Sequence, residues 1–361
     1  MKKKWICLMT VCVLCLLTVV SVTAAKEWEL TLQPGETTCD LTSLKQVKDA
    51  DALSLGEALQ ALEGLKACDL RGVNLSTDAM MTLMSACPEV EFLWDVRLGK
   101  KDFSSELTLL DLDTIKKNDK PTMALIRRAL PCLPHVTEVN MYDYRFSTKQ
   151  MDELVADFPA IHFNWTVVVD KYLVRTDSTA FSTLKGRQAP RYTADSIMKL
   201  LKYLPDLKAI DLGHNNVTDL SFLDNWPGLK ILIVIDSKEG LTDISPLKDQ
   251  KDLEYVELFM QKITDLSPLA DHTKLLDLNL CYNDITDLSP LYSCVNLERL
   301  WISNNPHLSK EEIRKLQEKL PDLKINDHTE QSTGYGWREH PRYFTMYDIF
   351  KTRIYRPFEE E

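Results

Sequence analysis

A six-residue phrase repeated in phase constrains this chain more than any other feature. Thr218-Asp219-Leu220-Ser221-Phe222-Leu223 is followed by Thr242-Asp243-Ile244-Ser245-Pro246-Leu247, and then by two TDLSPL copies, Thr264 to Leu269 and Thr286 to Leu291. Each follows a short strand-like segment that opens with leucine, at Leu207, Leu229, Leu253 and Leu275, and a fifth opens at Leu297. The spacings are 22, 24, 22 and 22 residues, the 24 coming from an expanded turn around Lys238-Glu239-Gly240. A fixed period of this length is the mark of stacked structural units. No single unit can bury its leucines alone, so neighbours must stack into a continuous core.

Within a unit the pattern is L-x-x-L-x-L-x-x-N-x-I-T-D-L-S-P-L, clearest at Leu275, Leu278, Leu280, Asn283 and Ile285. Alternation along a short strand sends Leu278 and Leu280 inward and Asn279 and Cys281 to the opposite face. Asn283, with Asn215 and Asn305 at matching places, is suited to satisfy backbone groups where the strand turns away. Serine before proline fits the start of a short helical return, serine capping and proline at the first helical position. The pattern resembles the leucine-rich repeat family, and its ITDLSPL segment is similar to the 22-residue type of bacterial, exported internalin-like proteins. The resemblance covers residues 207–308. It implies an α/β solenoid, with a curved parallel sheet on the concave side, short helices on the convex side, and a concave face used for binding.

A longer period lies upstream. Pro88 to Pro159 is 71 residues, and so is Pro134 to Pro205. Sliding the chain by 71 aligns Phe92-Leu93-Trp94 with Phe163-Asn164-Trp165, and Leu65 with Val136 and then Leu207. Residues 26–206 therefore read as divergent repeats of the same solenoid in 71-residue units, each with two strands and helical returns, and with an N-terminal cap. Helices are predicted at Ala52–Leu62, Ser76–Ala86, Thr122–Leu130, Thr148–Asp157, Thr193–Tyr203 and Glu311–Leu320 from Ser, Thr or Asp near their starts. Regular repeats span 207–326. Residues 327–361 change texture, with Trp337, Tyr343, Phe344, Tyr347, Phe350 and Tyr355 in an aromatic tail, expected to cap the open end of the core.

The N-terminus is separate. Lys2, Lys3 and Lys4 precede an apolar run from Trp5 to Val20 and then Ser21 to Ala25. This is the layout of a signal peptide over residues 1–25, with an uncleaved membrane anchor as the alternative. Cys7, Cys12 and Cys15 follow bulky residues, which excludes a lipoprotein signal. Setting aside the three lysines takes the net charge from −11 to −14. No basic cluster remains to follow a phosphate backbone or an anionic membrane surface, so nucleic acid is not an expected partner.

Catalytic signatures are missing: the sequence has no H-E-x-x-H, G-x-S-x-G or P-loop. No catalytic residue, cofactor or metal site is therefore assigned. His272 falls at the position of Trp226 and Cys294 and reads as a core-edge residue. Of the six cysteines beyond the signal, Cys39, Cys68, Cys87 and Cys294 replace core hydrophobes of other units, which favours free thiols over disulfides. Cys281 points to the concave face.

That face carries the informative residues. Register places Ile233 and Ile235 beside Tyr255, Glu257 and Phe259, then Asn279, then Arg299 and Trp301. Aromatic anchors rimmed by charge have the composition of a protein-binding hot spot. The expected function is non-enzymatic recognition of a protein outside the cell, by a secreted or cell-surface chain. Binding a surface glycan and a purely structural envelope role are the alternatives. A competing arrangement has the C-terminal tail folded back over this patch.

Overall fold

The computed structural model describes residues 28, 30–33, 35–44, 46–169, 172–183, 196, 199, 201–328 and 331–358. The signal expected at residues 1–25 and most of the helix expected over Thr193–Tyr203 lie outside them. The chain divides into two compact units. One is built from residues up to 108 with 115–136, the other from 109–114 with 137 onward.

In the first unit, β1 (Thr38–Asp40), β2 (Ala67–Asp69) and β3 (Glu91–Leu93) form a parallel sheet, and β4 (Asp95–Leu98) pairs antiparallel with β5 (Lys101–Ser104). Helices α1 (Ala52–Gln60), α2 (Thr77–Ala86) and α3 (Met123–Ala129) carry the chain between strands. The hydroxyls of Ser76 and Thr122 accept the first free amides of α2 and α3, at 3.2 and 3.4 Å. α1 packs against α2 through Gly56, where an added Cβ would lie 2.6 Å from the Ala86 Cβ. Only glycine allows that approach.

The second unit opens with β6 (Leu109–Asp111), β7 (Glu138–Met141) and β8 (His162–Val169) in parallel, closed by the antiparallel β9 (Tyr172–Arg175). Helix α4 (Thr148–Asp157) crosses between β7 and β8. The elements repeat at 71 residues: β1, β2 and β3 map onto β6, β7 and the first residues of β8, and the β4–β5 pairing maps onto β8–β9. Even the fastening recurs, since the Trp94 amide donates to the Ser105 hydroxyl at 3.1 Å and the Trp165 amide to that of Thr176 at 3.0 Å. The 71-residue unit thus holds three parallel strands and a hairpin, where two strands were expected. The third strand runs straight into the hairpin, which blurred its alternation in the sequence.

Seven parallel strands follow in sequence order: β10 (Ala180–Ser182), β11 (Ala209–Asp211), β12 (Ile231–Ile233), β13 (Tyr255–Glu257), β14 (Asp277–Asn279), β15 (Arg299–Trp301) and β16 (Lys324–Asn326). Their middle residues, Phe181, Ile210, Leu232, Val256, Leu278, Leu300 and Ile325, stand side by side on the core face. Helix α5 (Lys310–Lys319), capped by Ser309, leads into β16, and α6 (Pro341–Thr352) lies in the C-terminal segment. This is an α/β leucine-rich repeat solenoid.

Each coil is closed by the residues the repeat spells. The Asn283 side-chain amide donates to the carbonyls of Leu258 and Leu280 at 2.9 and 3.1 Å, and its oxygen accepts the Ile263 amide at 3.0 Å. Asn305 makes the same bonds one coil on, and Gln261 serves in the expanded coil. The chain leaves successive strands through left-handed residues, His214, Asp236, Met260, Tyr282 and Asn304. The returns are short 3-10 turns, and the expected serine cap is corrected. In each TDLSPL copy the aspartate, not the serine, accepts, taking the serine amide at 2.8 Å and the serine hydroxyl at 2.8–3.0 Å. The Asx turn needs the carboxylate two residues before the turn, and threonine-aspartate supplies it.

Asn283→Ala removes three bonds to buried backbone groups and is expected to lower stability by roughly 2–4 kcal/mol. Urea unfolding checks this; a change below about 0.5 kcal/mol would mean that the asparagine ladder is not structural.

Candidate functional site

The first and third residue of each strand point away from the leucine core. In register they form two rows across the sheet: Ala180, Ala209, Ile231, Tyr255, Asp277, Arg299 and Lys324, then Ser182, Asp211, Ile233, Glu257, Asn279, Trp301 and Asn326. The central members of both rows are buried. The cover is the C-terminal segment 331–358. Its Trp337, Met346 and Ile349 form one apolar cluster with Ile231, Ile233, Ile235, Tyr255, Phe259, Cys281 and Trp301. Tyr343, Phe350, Tyr355 and Phe358 pack against the same cluster.

Two expectations are corrected here. All eight residues expected to meet a partner, Ile233, Ile235, Tyr255, Glu257, Phe259, Asn279, Arg299 and Trp301, are buried rather than solvent-facing. The aromatic tail also lies across the strand face instead of capping the end of the core. The physical reason is shared. An apolar, aromatic face of this size is costly in water, and the tail carries the aromatic side chains and the arginine that complement it.

The join is polar at its centre. Asp277 has no exposed surface and accepts from two guanidinium groups. Arg299 donates through Nε and Nη2 at 2.7 and 2.8 Å, and Arg342 of α6 donates through Nε and Nη2 at 2.9 Å each. Arg342 also reaches Glu298 at 2.5 Å, and Arg299 donates to the Trp337 carbonyl at 3.2 Å while its guanidinium lies 4.6 Å from the Trp337 ring centre. Burial pushes the Asp277 carboxyl up, but hydrogen bonds and charge from Arg299 and Arg342 outweigh it and hold the group below the ordinary carboxylate range.

Further contacts fix the register of the segment. The Asn279 side chain donates to the Ser332 carbonyl at 2.6 Å, and the Trp301 indole donates to that of Gly334 at 3.0 Å. The Trp337 ring packs tilted against those of Trp301 and Tyr255, with ring centres 5.2 and 5.6 Å apart. Where α6 ends, Arg353 turns left-handed, and its carbonyl accepts the amides of Thr179 and Ala180 at 3.1 and 3.2 Å, covering the free edge of β10. Covering an edge strand in this way removes a site for unwanted pairing.

Between α6 and strands β10–β13 the segment leaves a cavity of about 470 Å³. Two buried carboxylates border it. Asp211 accepts the Ser182 hydroxyl at 2.7 Å and the Gly213 amide at 3.0 Å. Gly213 is needed there, since a Cβ would meet Ile235 at 2.9 Å. Glu257 accepts the Trp337 indole at 2.9 Å and the Tyr255 hydroxyl, both on Oε1. Burial raises both carboxyls above their ordinary range. Arg338, Lys351 and Arg353 line the cavity from the tail.

Among the described residues no group of three or more ligating side chains is arranged to hold a metal. Cys281 is buried beside the Ser303 hydroxyl at 3.1 Å, and its thiol is pushed up to about 11 by burial. Sequence reasoning missed Arg342 and Asp211, and named Trp337 only as a member of the aromatic tail. The one available signal was the tail's aromatic content together with Asp277 and Arg299 on the strand face.

A family pattern described as "Leucine Rich repeats (2 copies)" matches residues 273–324. Residues 273–324 are leucine-rich repeats. Among solved structures, an internalin (inlF) from Listeria monocytogenes aligns at 19% identity over 75% of this chain and 65% of its own, with a TM-score of 0.34. The present chain therefore spans about two thirds of that protein's length. Internalin C2 from Listeria monocytogenes aligns at 24% identity over 39% of this chain and 71% of its own, TM-score 0.28. A leucine-rich repeat protein of Leptospira interrogans aligns at 14% identity over 73% and 72%, TM-score 0.33. No curated protein matches the sequence. As a class, leucine-rich repeat domains are binding scaffolds for proteins rather than catalysts.

Arg342→Ala leaves half of the Asp277 charge uncompensated in a buried place and is expected to cost roughly 3–5 kcal/mol of stability. Chemical unfolding measures it, and a loss below about 1 kcal/mol would contradict the geometry. The carboxyls also set opposite pH trends. Asp277, with its pKa depressed by folding, stabilises above the unfolded carboxylate pKa, and the contribution fades as pH falls through the lower folded value. Asp211 and Glu257, with raised values, favour the fold at acid pH and lose that contribution as pH rises through them. Asp211→Asn should therefore gain stability relative to the parent as pH rises above the unfolded carboxylate range, because burial raises the Asp211 carboxyl in the fold. A difference that does not change with pH would count against the buried anion.

Proposed function

We propose that this chain is an exported, non-enzymatic protein-recognition module that meets its partner on the concave side of the 22-residue repeats, through the outward surface of the docked C-terminal segment. The observation that carries this is the two-sided chemistry of α6. Its inner face, Arg342, Met346 and Ile349, is spent on the strands. Its outer face carries Phe344 and Tyr347, 61% and 62% exposed, three residues apart and so neighbours on the helix surface. Tyr335 and Ile354, each 65% exposed, flank them along the same segment. Exposed aromatics on a strongly acidic chain have the composition of a hot spot with a solvated rim.

The eight strand residues keep a part in this reading as the platform beneath the segment. A partner that touched them directly would first have to displace the segment. Export rests on the signal-like layout from Lys2 to Ala25.

The test is capture of surface proteins from neighbouring cells by the purified chain, compared with two variants. Phe344→Ala with Tyr347→Ala changes only exposed side chains and should lower capture by roughly tenfold or more. Arg342→Glu loosens the segment and should lower it too. Higher capture by Arg342→Glu would move recognition to Tyr255, Phe259 and Trp301 themselves. Unchanged capture by both variants contradicts the proposal, and selective binding on a glycan array would replace the protein partner with a carbohydrate.

A further inference from the structure

The cavity under α6 has a polarity that the docking of the segment does not require. On the strand side stand Asp211 and Glu257, in register two strands apart with Ile233 between them, so their backbones are about 9–10 Å apart. Neither is in an ion pair among the described residues, and both are almost completely buried. Their partners are neutral donors: a serine hydroxyl, a backbone amide, a tyrosine hydroxyl and an indole. No donor from the described residues reaches Glu257 Oε2. Arg338 and His214 act on Glu257 and Asp211 only from beyond ion-pair distance, so the two buried carboxylates remain under-compensated, and a cation placed in the adjoining space relieves the cost.

The opposite wall reverses the sign. Arg338 and Lys351, both exposed, line the cavity from the tail and bring positive charge to it. The lining is otherwise largely apolar, with Ile233, Ile235 and Phe259 on the strand side and Met346 and Phe350 on the helix side. Buried acids from the strands, apolar side chains and exposed basic groups from the tail line one space of about 470 Å³, within the range of small-molecule sites.

We propose that this cavity binds a small zwitterion, with an ammonium group seated against Glu257 and Asp211, an apolar spacer along Ile233 and Phe259, and a carboxylate at Arg338 and Lys351. Charges of both signs on the lining disfavour a simple amine or a simple acid as the best ligand, since each leaves one set unpaired. An ω-amino acid and a short peptide share this chemistry.

The experiment is calorimetric titration of the full chain with 6-aminohexanoate, hexylamine and hexanoate as probes, and with glycylphenylalanine to separate the two sources. 6-Aminohexanoate or the dipeptide is expected to saturate the protein and to bind about tenfold or more tighter than the amine or the acid, because it alone forms a charge-assisted hydrogen bond at each end. The tighter of the two assigns the source. Arg338→Gln, an exposed change that leaves the fold intact, should reduce the zwitterion to the level of hexylamine. Glu257→Gln should reduce it to the level of hexanoate. If Glu257→Gln does not fold, Ile235→Phe, which fills the cavity from its apolar wall, should abolish binding of every probe. Absence of saturable zwitterion binding, or equal affinity for all the probes, overturns the proposal. Because no protein partner is present, this outcome is independent of the recognition proposed above.

Discussion

Asp277 sits without exposure beneath two guanidinium groups, one from the adjacent strand and one from a helix 65 residues further along the chain. A carboxylate in that position is unfavourable unless both of its oxygens are filled, and here Arg299 and Arg342 fill them with four hydrogen bonds. The rest of the concave side is arranged around this contact. Trp337 lies on Arg299, Trp301 and Tyr255 pack on Trp337, and α6 runs from Arg342 across the rows of isoleucines toward β10. The aromatic cluster supplies the burial, and the ion triad fixes where the segment lies, because an arginine fork accepts only a narrow set of positions.

This changes what the repeats are for. An open strand face rich in tyrosine, tryptophan and isoleucine would be a binding surface as it stands. Here it is the base on which the chain builds a second surface from its own end. The inner side of α6 is committed to that base, leaving Phe344 and Tyr347 outward and a cavity with acidic and basic walls between the layers. Recognition of a protein and retention of a small zwitterion would share α6, with Tyr347 exposed on its surface and also lining the cavity.

The legible part of the fold was the part that repeats. Leucines at 22-residue spacing place the strands, and Asn283 and Asn305 do the backbone work their position suggests, because each is fixed by local periodicity. The capping role in the TDLSPL copies falls to aspartate rather than to serine, since a serine-proline pair has the same spelling as a cap. The third strand of the 71-residue unit was hidden where Trp94 passes directly into a hairpin. The site failed for a different reason. Whether Tyr255 or Trp301 faces water depends on residues some 35 to 80 positions away, and no period links Trp337 or Arg342 to the strands they meet. Sequence showed that the strand face was unusually sticky and that the tail was unusually aromatic; that the two are one interface depends on a long-range match of charge and shape.

Amide hydrogen exchange of the full chain, followed by mass spectrometry across residues 331–352, tests the docked segment most directly. Protection in these peptides comparable to that of β12–β15 is the result the account predicts. Exchange as fast as in an unstructured peptide would contradict it, and would return Tyr255, Phe259 and Trp301 to solvent.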